Sequence, residues 1–564
     1  MKRLIKKDQQ LNGINQRRNI MKRVKWLWLV FLITAVFVMG NCISALAGPD
    51  IENSYCNPLS LDYVHGWGGG GRKAGKLDRK PPEITAAGAN NFLSKEKWTE
   101  VEGRMMQVLG KGQTVSEPGG SRGAGDPFVY QISDGTIVMH VSGMCWTTTD
   151  YIHWEAHEQN VGLGAPTFME LNGKYYLCGN STDLYESDCP WGPWKSIGKF
   201  KMLDGKETGF GDVNFFQDDD GRLYLSYSIG SPIYACELDP NDPTVILTEP
   251  VIIWRNDGRN WWERFGTGLN NSVYAYTEGS QIFKYNGVYY LQVASGGTEN
   301  MAYNMSMKKS TEGPLSGWTY QQHNPVAFND SNFVPAAGHG CFLVDKDNNL
   351  VCFYTQVTGN NGRRIGMDVC WTDENGDVHV NITDMPQLAP NLVEDPANAG
   401  GDLKLNRLCT VGGNYWASSY AEGRSPVYAL DNNCMTWWAP KEDDEEPMFY
   451  APLMGIYDVY AVQLNWRELG EFSNESAVQY VLEYYDLEAD EWTAMADESE
   501  NTVPRGSDYV TVPGGARTIA VRVRGLKTTE GNNIGIIDFR IFGENYTLAA
   551  EHGRWDDYDP LPWE

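Results

Sequence analysis

The sequence predicts an all-β protein: a five-bladed β-propeller followed by a second, antiparallel β domain. Three observations carry this expectation. A turn-plus-strand signature recurs five times, at Asp134-Gly135, Asn172-Gly173, Asp220-Gly221, Asn286-Gly287 and Asn348-Asn349, each running into β-branched, aromatic or leucine residues. Asp-Gly or Asn-Gly ahead of such a run is the strongest short hairpin signal. Counted from the second turn residue, the repeats are spaced 38, 48, 66 and 62 residues apart, as unequal blades with insertions are. The composition agrees, with 60 Gly, 30 Tyr and 20 Trp, a set suited to strands joined by tight turns. Beyond Gly400, segments such as Val459–Trp466, Ala477–Tyr485, Thr518–Arg524 and Ile534–Gly543 follow, several alternating apolar and polar residues as half-buried antiparallel strands do.

At 564 residues the chain exceeds one ordinary core, so two or more domains are expected. The boundaries read as a propeller over 48–385, a Pro-, Asn- and Ala-rich linker over 386–400, a β-sandwich over 401–545 and a tail over 546–564. Residues 1–47 read as a targeting segment. Lys22, Arg23 and Lys25 precede the apolar run Trp26–Met39, and Ala45-Leu46-Ala47 supplies small residues for cleavage before Gly48. The run is short for a spanning helix, and the polar, basic stretch ahead of Met21 suggests that Met21 is the true start. A secreted or periplasmic protein is expected; Cys42 would allow a lipid anchor, but Asn41 before it fits that processing poorly. The net charge of −27 argues against nucleic acid and anionic membrane as partners, because such a field repels phosphate. Of the cysteines, Cys178 and Cys189 are placed to bridge a hairpin, and the rest read as small apolar side chains.

The chemistry is carried by three carboxylates, each just ahead of an apolar strand: Asp126 in Gly125-Asp126-Pro127, Asp212 in Gly211-Asp212-Val213, and Glu278 in Glu278-Gly279. A ring of blades brings such positions to one axis. Glycosidic bond cleavage with inversion needs a carboxylate on one sugar face and a carboxylic acid on the other, about 6.5–9.5 Å apart so that water fits. A third carboxylate raises the pKa of the acid by repulsion. Taken singly the motifs are weak: Asp before Pro is a common turn, and Asp218, Asp219 and Asp220 read as solvated residues of the hairpin turn itself.

In order along the chain, Gly125-Asp126-Pro127, the run Trp146 to Trp154, Ala165-Pro166, the run Ser187 to Trp194, Phe215 to Leu225, Glu278-Gly279, and Gly338-His339-Gly340 followed by Arg363-Arg364 resemble the motifs of glycoside hydrolase family 43. The resemblance spans about Asn57 to Thr383. It implies Asp126 as general base, Glu278 as general acid and Asp212 as the residue that orients Glu278 and tunes its pKa. It implies His339 facing the channel and helping to hold an axial calcium through water. It points to His339, Trp146 and, of the two arginines, Arg364 as sugar contacts.

Further on, Ala417 to Tyr420, Ala429 to Trp438, Tyr480 to Tyr485, Trp492 and Ile537 to Gly543 resemble discoidin-like (factor V/VIII type C) domains, a group that includes carbohydrate-binding module family 32. That likeness implies an eight-stranded jelly-roll sandwich and a structural calcium near Asp431, Thr436 and Asp538, since oxygen-rich loops suit this hard cation. No organic cofactor is expected.

Together these readings point to a secreted, inverting exo-glycoside hydrolase acting on a plant polysaccharide or oligosaccharide, with terminal α-L-arabinofuranosyl the first substrate. β-D-Xylosides and β-1,3-galactan follow. The rival is a propeller that binds carbohydrate without cleaving it.

Overall fold

In the computed structural model, residues 49–63, 97–101, 104–108, 119–120, 124–180, 182–228, 232–264, 277–296, 303–329, 333–357, 363–408, 415–434, 436–469 and 476–545 are described. The targeting segment, the C-terminal tail and the glycine cluster Gly68 to Gly71 lie outside them.

Five antiparallel sheets follow one another along the chain. The first blade is built from Phe128–Gln131, Ile137–Val141, Met144–Thr148 and Glu155–Glu158. The second uses Thr167–Leu171, Lys174–Cys178, Leu184–Ser187 and Lys195–Gly198. The third centres on Gly211–Gln217, Leu223–Ser228 and Pro232–Asp239, with Val251–Arg255 added at its outer side. The fourth comprises Thr277–Tyr285, Val288–Ser295, Asn304–Ser310 and Thr319–Tyr320. The fifth comprises Ala337–Val344, Leu350–Val357, Arg363–Thr372 and Val378–Val380. Each expected turn joins the first two strands of its blade. At Asn172-Gly173 and Asn286-Gly287 both residues have positive φ (53° and 74°; 50° and 79°), which matches the two-residue turns whose twist suits a hairpin.

The first strands contact one another in cyclic order, and the fifth returns to the first, so the ring closes. Polar bonds tie neighbouring blades. Thr167 Oγ1 accepts from the Phe215 N–H at 3.4 Å, Ser226 and Ser280 hydroxyls meet at 3.0 Å, and the Gln281 side chain bonds both the N–H and the carbonyl of Phe342 (2.7 and 2.9 Å). Asp218 is one such tie. It is buried and takes bonds from Lys284 Nζ (3.0 Å) and the Tyr289 hydroxyl (2.7 Å) of the next blade. The expectation that it is a solvated turn residue is therefore corrected, while Asp220 does sit exposed beside Arg222. Cys178 and Cys189 are free thiols, not a bridge. The Cys178 side chain is packed in the core between the second and third blades, where its neighbours are apolar.

The start of the 386–400 segment is packed, while Asn391, Leu392, Glu394, Asp395, Ala397 and Asn398 are exposed. Gln387–Leu388 pairs with Ser54–Tyr55, and the buried Gln387 amide donates to Asp368 at 2.7 Å. Beyond them, Asn406–Arg407, Trp416–Ala417, Met448–Leu469, Val478–Asp486, Glu491–Asp497, Ser507–Thr528 and Ile534–Asn545 form the discoidin-like β-sandwich. Met448–Leu469 changes partner along its length. Residues 448–452 pair with 520–524, and 457–468 with 534–545. One continuous strand thus serves both layers around a core that includes Phe449, Val462, Trp466, Leu482, Val523 and Phe539.

Sandwich and propeller share a buried polar seam. Arg540, fully buried, donates to Gln463 Oε1 (2.7 Å), to the Asn57 carbonyl (3.1 Å) and to the Asp384 backbone, and pairs with the Asp384 carboxylate at 3.1 Å. Asp538 lies on the same strand. It takes two bonds from Arg407 Nη2 (2.9 and 3.1 Å) and faces Arg540 Nε at 3.6 Å. The other end of the Arg407 guanidinium donates to Asn432. Asp431 accepts from the Thr436 hydroxyl through both oxygens (3.0 and 2.8 Å). Burial pushes the Asp431 carboxyl up to about 7, with Asp538 adding to the rise and Thr436 opposing it. Two guanidiniums thus stand against Asp538, whereas Asp431 is met by the Thr436 hydroxyl and the Asn433 N–H.

Two outcomes follow from this seam. Substituting Arg540→Met should cost about 3 kcal/mol, read from the urea midpoint, because breaking one side of a buried charge network leaves its carboxylates uncompensated. If Asp431 held a metal, EDTA would lower the melting midpoint of the parent chain but not that of Asp431→Asn; the expected result is that chelation affects both chains alike.

Candidate active site

Each inner strand is entered through a residue held in the left-handed region, and these entries converge on the axis. Asp126 (φ 56°) precedes the first blade, Asp212 (φ 41°) opens the third, Gly279 (φ 57°) follows Glu278 in the fourth, and His339 (φ 27°) lies in the fifth. Such a backbone turn is costly for a residue with a side chain. It is held here by specific bonds. The Asp126 N–H donates to Thr355 Oγ1 at 2.6 Å, and that hydroxyl donates onward to the His339 carbonyl at 2.9 Å. The Asp212 N–H donates to Asn180 Oδ1. Gly279 needs its lack of side chain, since a Cβ there would meet the His339 ring at 2.7 Å.

The three carboxylates have different surroundings. Both oxygens of Asp126 accept from Arg363 Nη1 (2.7 and 2.8 Å), and His339 Nδ1 stands 3.5 Å from one of them. Accepting at both oxygens suits the carboxylate form. Among the described residues no guanidinium bonds Glu278. Its Oε1 accepts from the Tyr303 hydroxyl at 2.8 Å. Burial raises its pKa to about 7; the positive charge of His339 opposes the rise and Asp212 adds to it. Asp212, buried, accepts the Gly279 N–H through Oδ2 at 3.2 Å, so it fixes the peptide next to Glu278 as well as adding charge. The expected influence of Asp212 is present, but desolvation of Glu278 is the larger cause. Burial alone would depress the His339 imidazole, yet the surrounding Asp126, Asp212 and Glu278 outweigh it and its pKa is raised.

Asp126, Asp212, Glu278 and His339 therefore meet at one end of the ring. Two expected sugar contacts do not join them. Trp146 is fully buried, its Nε1 donating to the Asp62 carbonyl at 2.7 Å and its ring edge-on to Tyr63, so it is core. Arg364 is also buried and donates to the Gly506 carbonyl of the sandwich at 3.0 Å. Successive residues of a strand face opposite ways, and it is Arg363 that reaches the site. Among the described residues no cluster of three or more His, Cys, Asp or Glu has the arrangement of a metal centre. Tyr303, Thr355 and Asn180 were not expected. No turn or charge pattern marks them; Asn180 falls at the end of a blade strand, the one position where a scan for polar residues facing the axis would have found it.

Known proteins resemble this chain in two separate stretches. The family model for glycosyl hydrolases family 43 matches residues 142–376, and that for the F5/8 type C domain matches 414–539. A curated protein from Escherichia coli (strain K12) named "Putative beta-xylosidase" is 29% identical over 203 residues, 32% of this chain and 34% of that protein. One from Vibrio sp named "Xylan 1,3-beta-xylosidase" is 29% identical over 234 residues, 36% of this chain and 38% of that protein. The chain thus spans about a third of the length of these two relatives. A solved structure named "Glycoside hydrolase" is 18% identical, covering 75% of this chain and 99% of its own with a TM-score of 0.45. The two matched stretches follow the same order as the ring and the sandwich, and the chain carries a domain of glycosyl hydrolases family 43 followed by an F5/8 type C domain.

Proposed function

We propose that this chain is an inverting exo-glycoside hydrolase, exported from the cell, that removes terminal sugars from a plant polysaccharide or oligosaccharide. The observation that carries the reading is the contrast between two carboxyls at one axis: Glu278, buried and raised to about 7, and Asp126, clamped at both oxygens by Arg363. In this reading Glu278 gives its proton to the glycosidic oxygen as the bond to the anomeric carbon breaks. Asp126 takes a proton from the water that attacks that carbon from the opposite face. Because Tyr303 donates to Oε1 of Glu278, the transferable proton sits on Oε2. Asp212 holds the Glu278–Gly279 peptide and disfavours the ionised acid.

Terminal α-L-arabinofuranosyl is the first substrate proposed. The names of the two curated relatives favour β-D-xylosides as the second. A calcium ion on the propeller axis would be held with the help of His339. No helix among the described residues is long and apolar enough to cross a membrane; the export reading rests on the charged and apolar pattern of residues 22–47.

Three measurements test the reading. Glu278→Gln should lower kcat by about 10³ on a natural glycoside, whose leaving group needs a proton, and distinctly less on a nitrophenyl glycoside, whose leaving group does not. Asp126→Asn should reduce both alike; equal losses for the two variants on both substrates would remove the acid assignment. The pH dependence has a definite sign. The active form of Glu278 is protonated, so kcat/KM should be high below the pKa and fall as pH rises through about 7; a profile flat from pH 6 to 9 would contradict it. Proton NMR of the first product should show the inverted anomer, and a retained one would overturn the two-face mechanism.

A further inference from the structure

The fifth blade has two faces, and adjacent residues divide between them. On its second strand, Thr355 Oγ1 takes the Asp126 N–H, while the next side chain, Gln356, is fully buried, donates to the Phe333 carbonyl and lies against the Cys434 thiol of the sandwich. On its third strand, Arg363 clamps Asp126, while Arg364 donates to Gly506 of the sandwich. The ladder pairs Gln356 with Arg364, so these two lie side by side on one face, and Thr355 and Arg363 belong to the other, as strand alternation requires. Gly506 is itself fixed, since its carbonyl also accepts from the Trp466 N–H at 3.1 Å. Phe333 packs with Cys434, Trp437, Ala439 and Ile537 in one apolar cluster across the seam. A third tie reaches Asp126 from the other direction along the chain. Gly119–Gly120, a few residues before it, pairs as a strand with Glu468 and Leu469 at the end of the long sandwich strand.

From this arrangement we propose that the sandwich is a working part of the active site, and that Arg364 is a positioning residue through which the sandwich sets Arg363 against Asp126. The geometry gives the F5/8 type C domain a role that needs no sugar of its own. A shift of the third strand at Arg364 moves Arg363, its immediate neighbour, and with it the carboxylate that activates water. The inference rests on the reading of Asp126 as general base.

The test uses the full mature chain. Arg364→Met removes the bond to Gly506 but touches no substrate. It should lower kcat per folded molecule about tenfold with KM little changed, since small displacements of a reacting group are expensive in rate. Arg364→Lys, which keeps a charged donor in reach of Gly506, should restore kcat to within about threefold of the parent. Should Arg364→Met fail to fold, Arg364→Gln carries the same reading. A merely structural role would lower the melting midpoint and the folded fraction, measured by near-ultraviolet dichroism, yet leave kcat per folded molecule and the lysine rescue unmoved; that result would overturn the proposal. Asp126→Asn is assayed alongside. If it remains active, the reading of the site has failed. If it is inactive while the Arg364 variants keep the parent kcat, only the role of the sandwich has failed.

Discussion

The constraint on which the structure depends is the left-handed entry to the inner strands. Asp126, Asp212 and His339 all carry positive φ, and each such residue costs of order 1–3 kcal/mol. The cost is tolerated because the ring closes. Once the first strands contact their neighbours in a cycle, the blades cannot move apart to let these residues relax. The bonds from Thr355 and Asn180 to the strained peptides then hold the carboxylates toward the axis. The strain is therefore a means of aiming side chains out of the sheet plane at the point where five sheets meet.

Much of this was legible in the sequence. The repeated Asn-Gly and Asp-Gly turns fix where each blade folds back, because their φ requirements are local. The three acids stand at matching points relative to those turns, so a ring made their meeting predictable. What was not legible depends on tertiary facing. Arg363 and Arg364 are chemically alike and adjacent; only the phase of the strand says which meets Asp126. Trp146 looked like a sugar contact, but its strand is the third of its blade, inside the packing between sheets. Asp218 looked like a turn residue, but Lys284 and Tyr289 come from the next blade, 66 and 71 residues away. The acidic loop of the sandwich looked like a calcium site, and Arg407 comes to it from a strand 131 residues before Asp538.

The sandwich changes character when its charges are counted. A domain attached only by a linker would present its own closed surface to the propeller. Here Arg540 reaches across to Asp384 and to the carbonyl of Asn57, and Gln463 donates to the carbonyls of Cys56 and Pro58 at 3.1 and 3.0 Å. Arg540 and Gln463 are fully buried and Asp384 nearly so, so separating the two parts would expose or orphan them together. The same seam carries Arg364, one residue from the clamp on Asp126.

The site itself is polarised by where its cations sit. His339 and Arg363 both stand against Asp126, whereas Glu278 has a neutral phenol as its hydrogen-bonded partner. Three carboxylates with two cations cannot all be ionised at equal cost in a buried space. The proton therefore settles on Glu278, whose ionised form burial penalises and to which no guanidinium is bonded among the described residues. Burial leads the causes that raise Glu278, while the charge on Asp212 and that on Asp126 act in the same direction. The ring thus sorts its acids into an acid end and a base end by setting Arg363 against Asp126 and by burying Glu278, a rise that the Tyr303 hydrogen bond opposes.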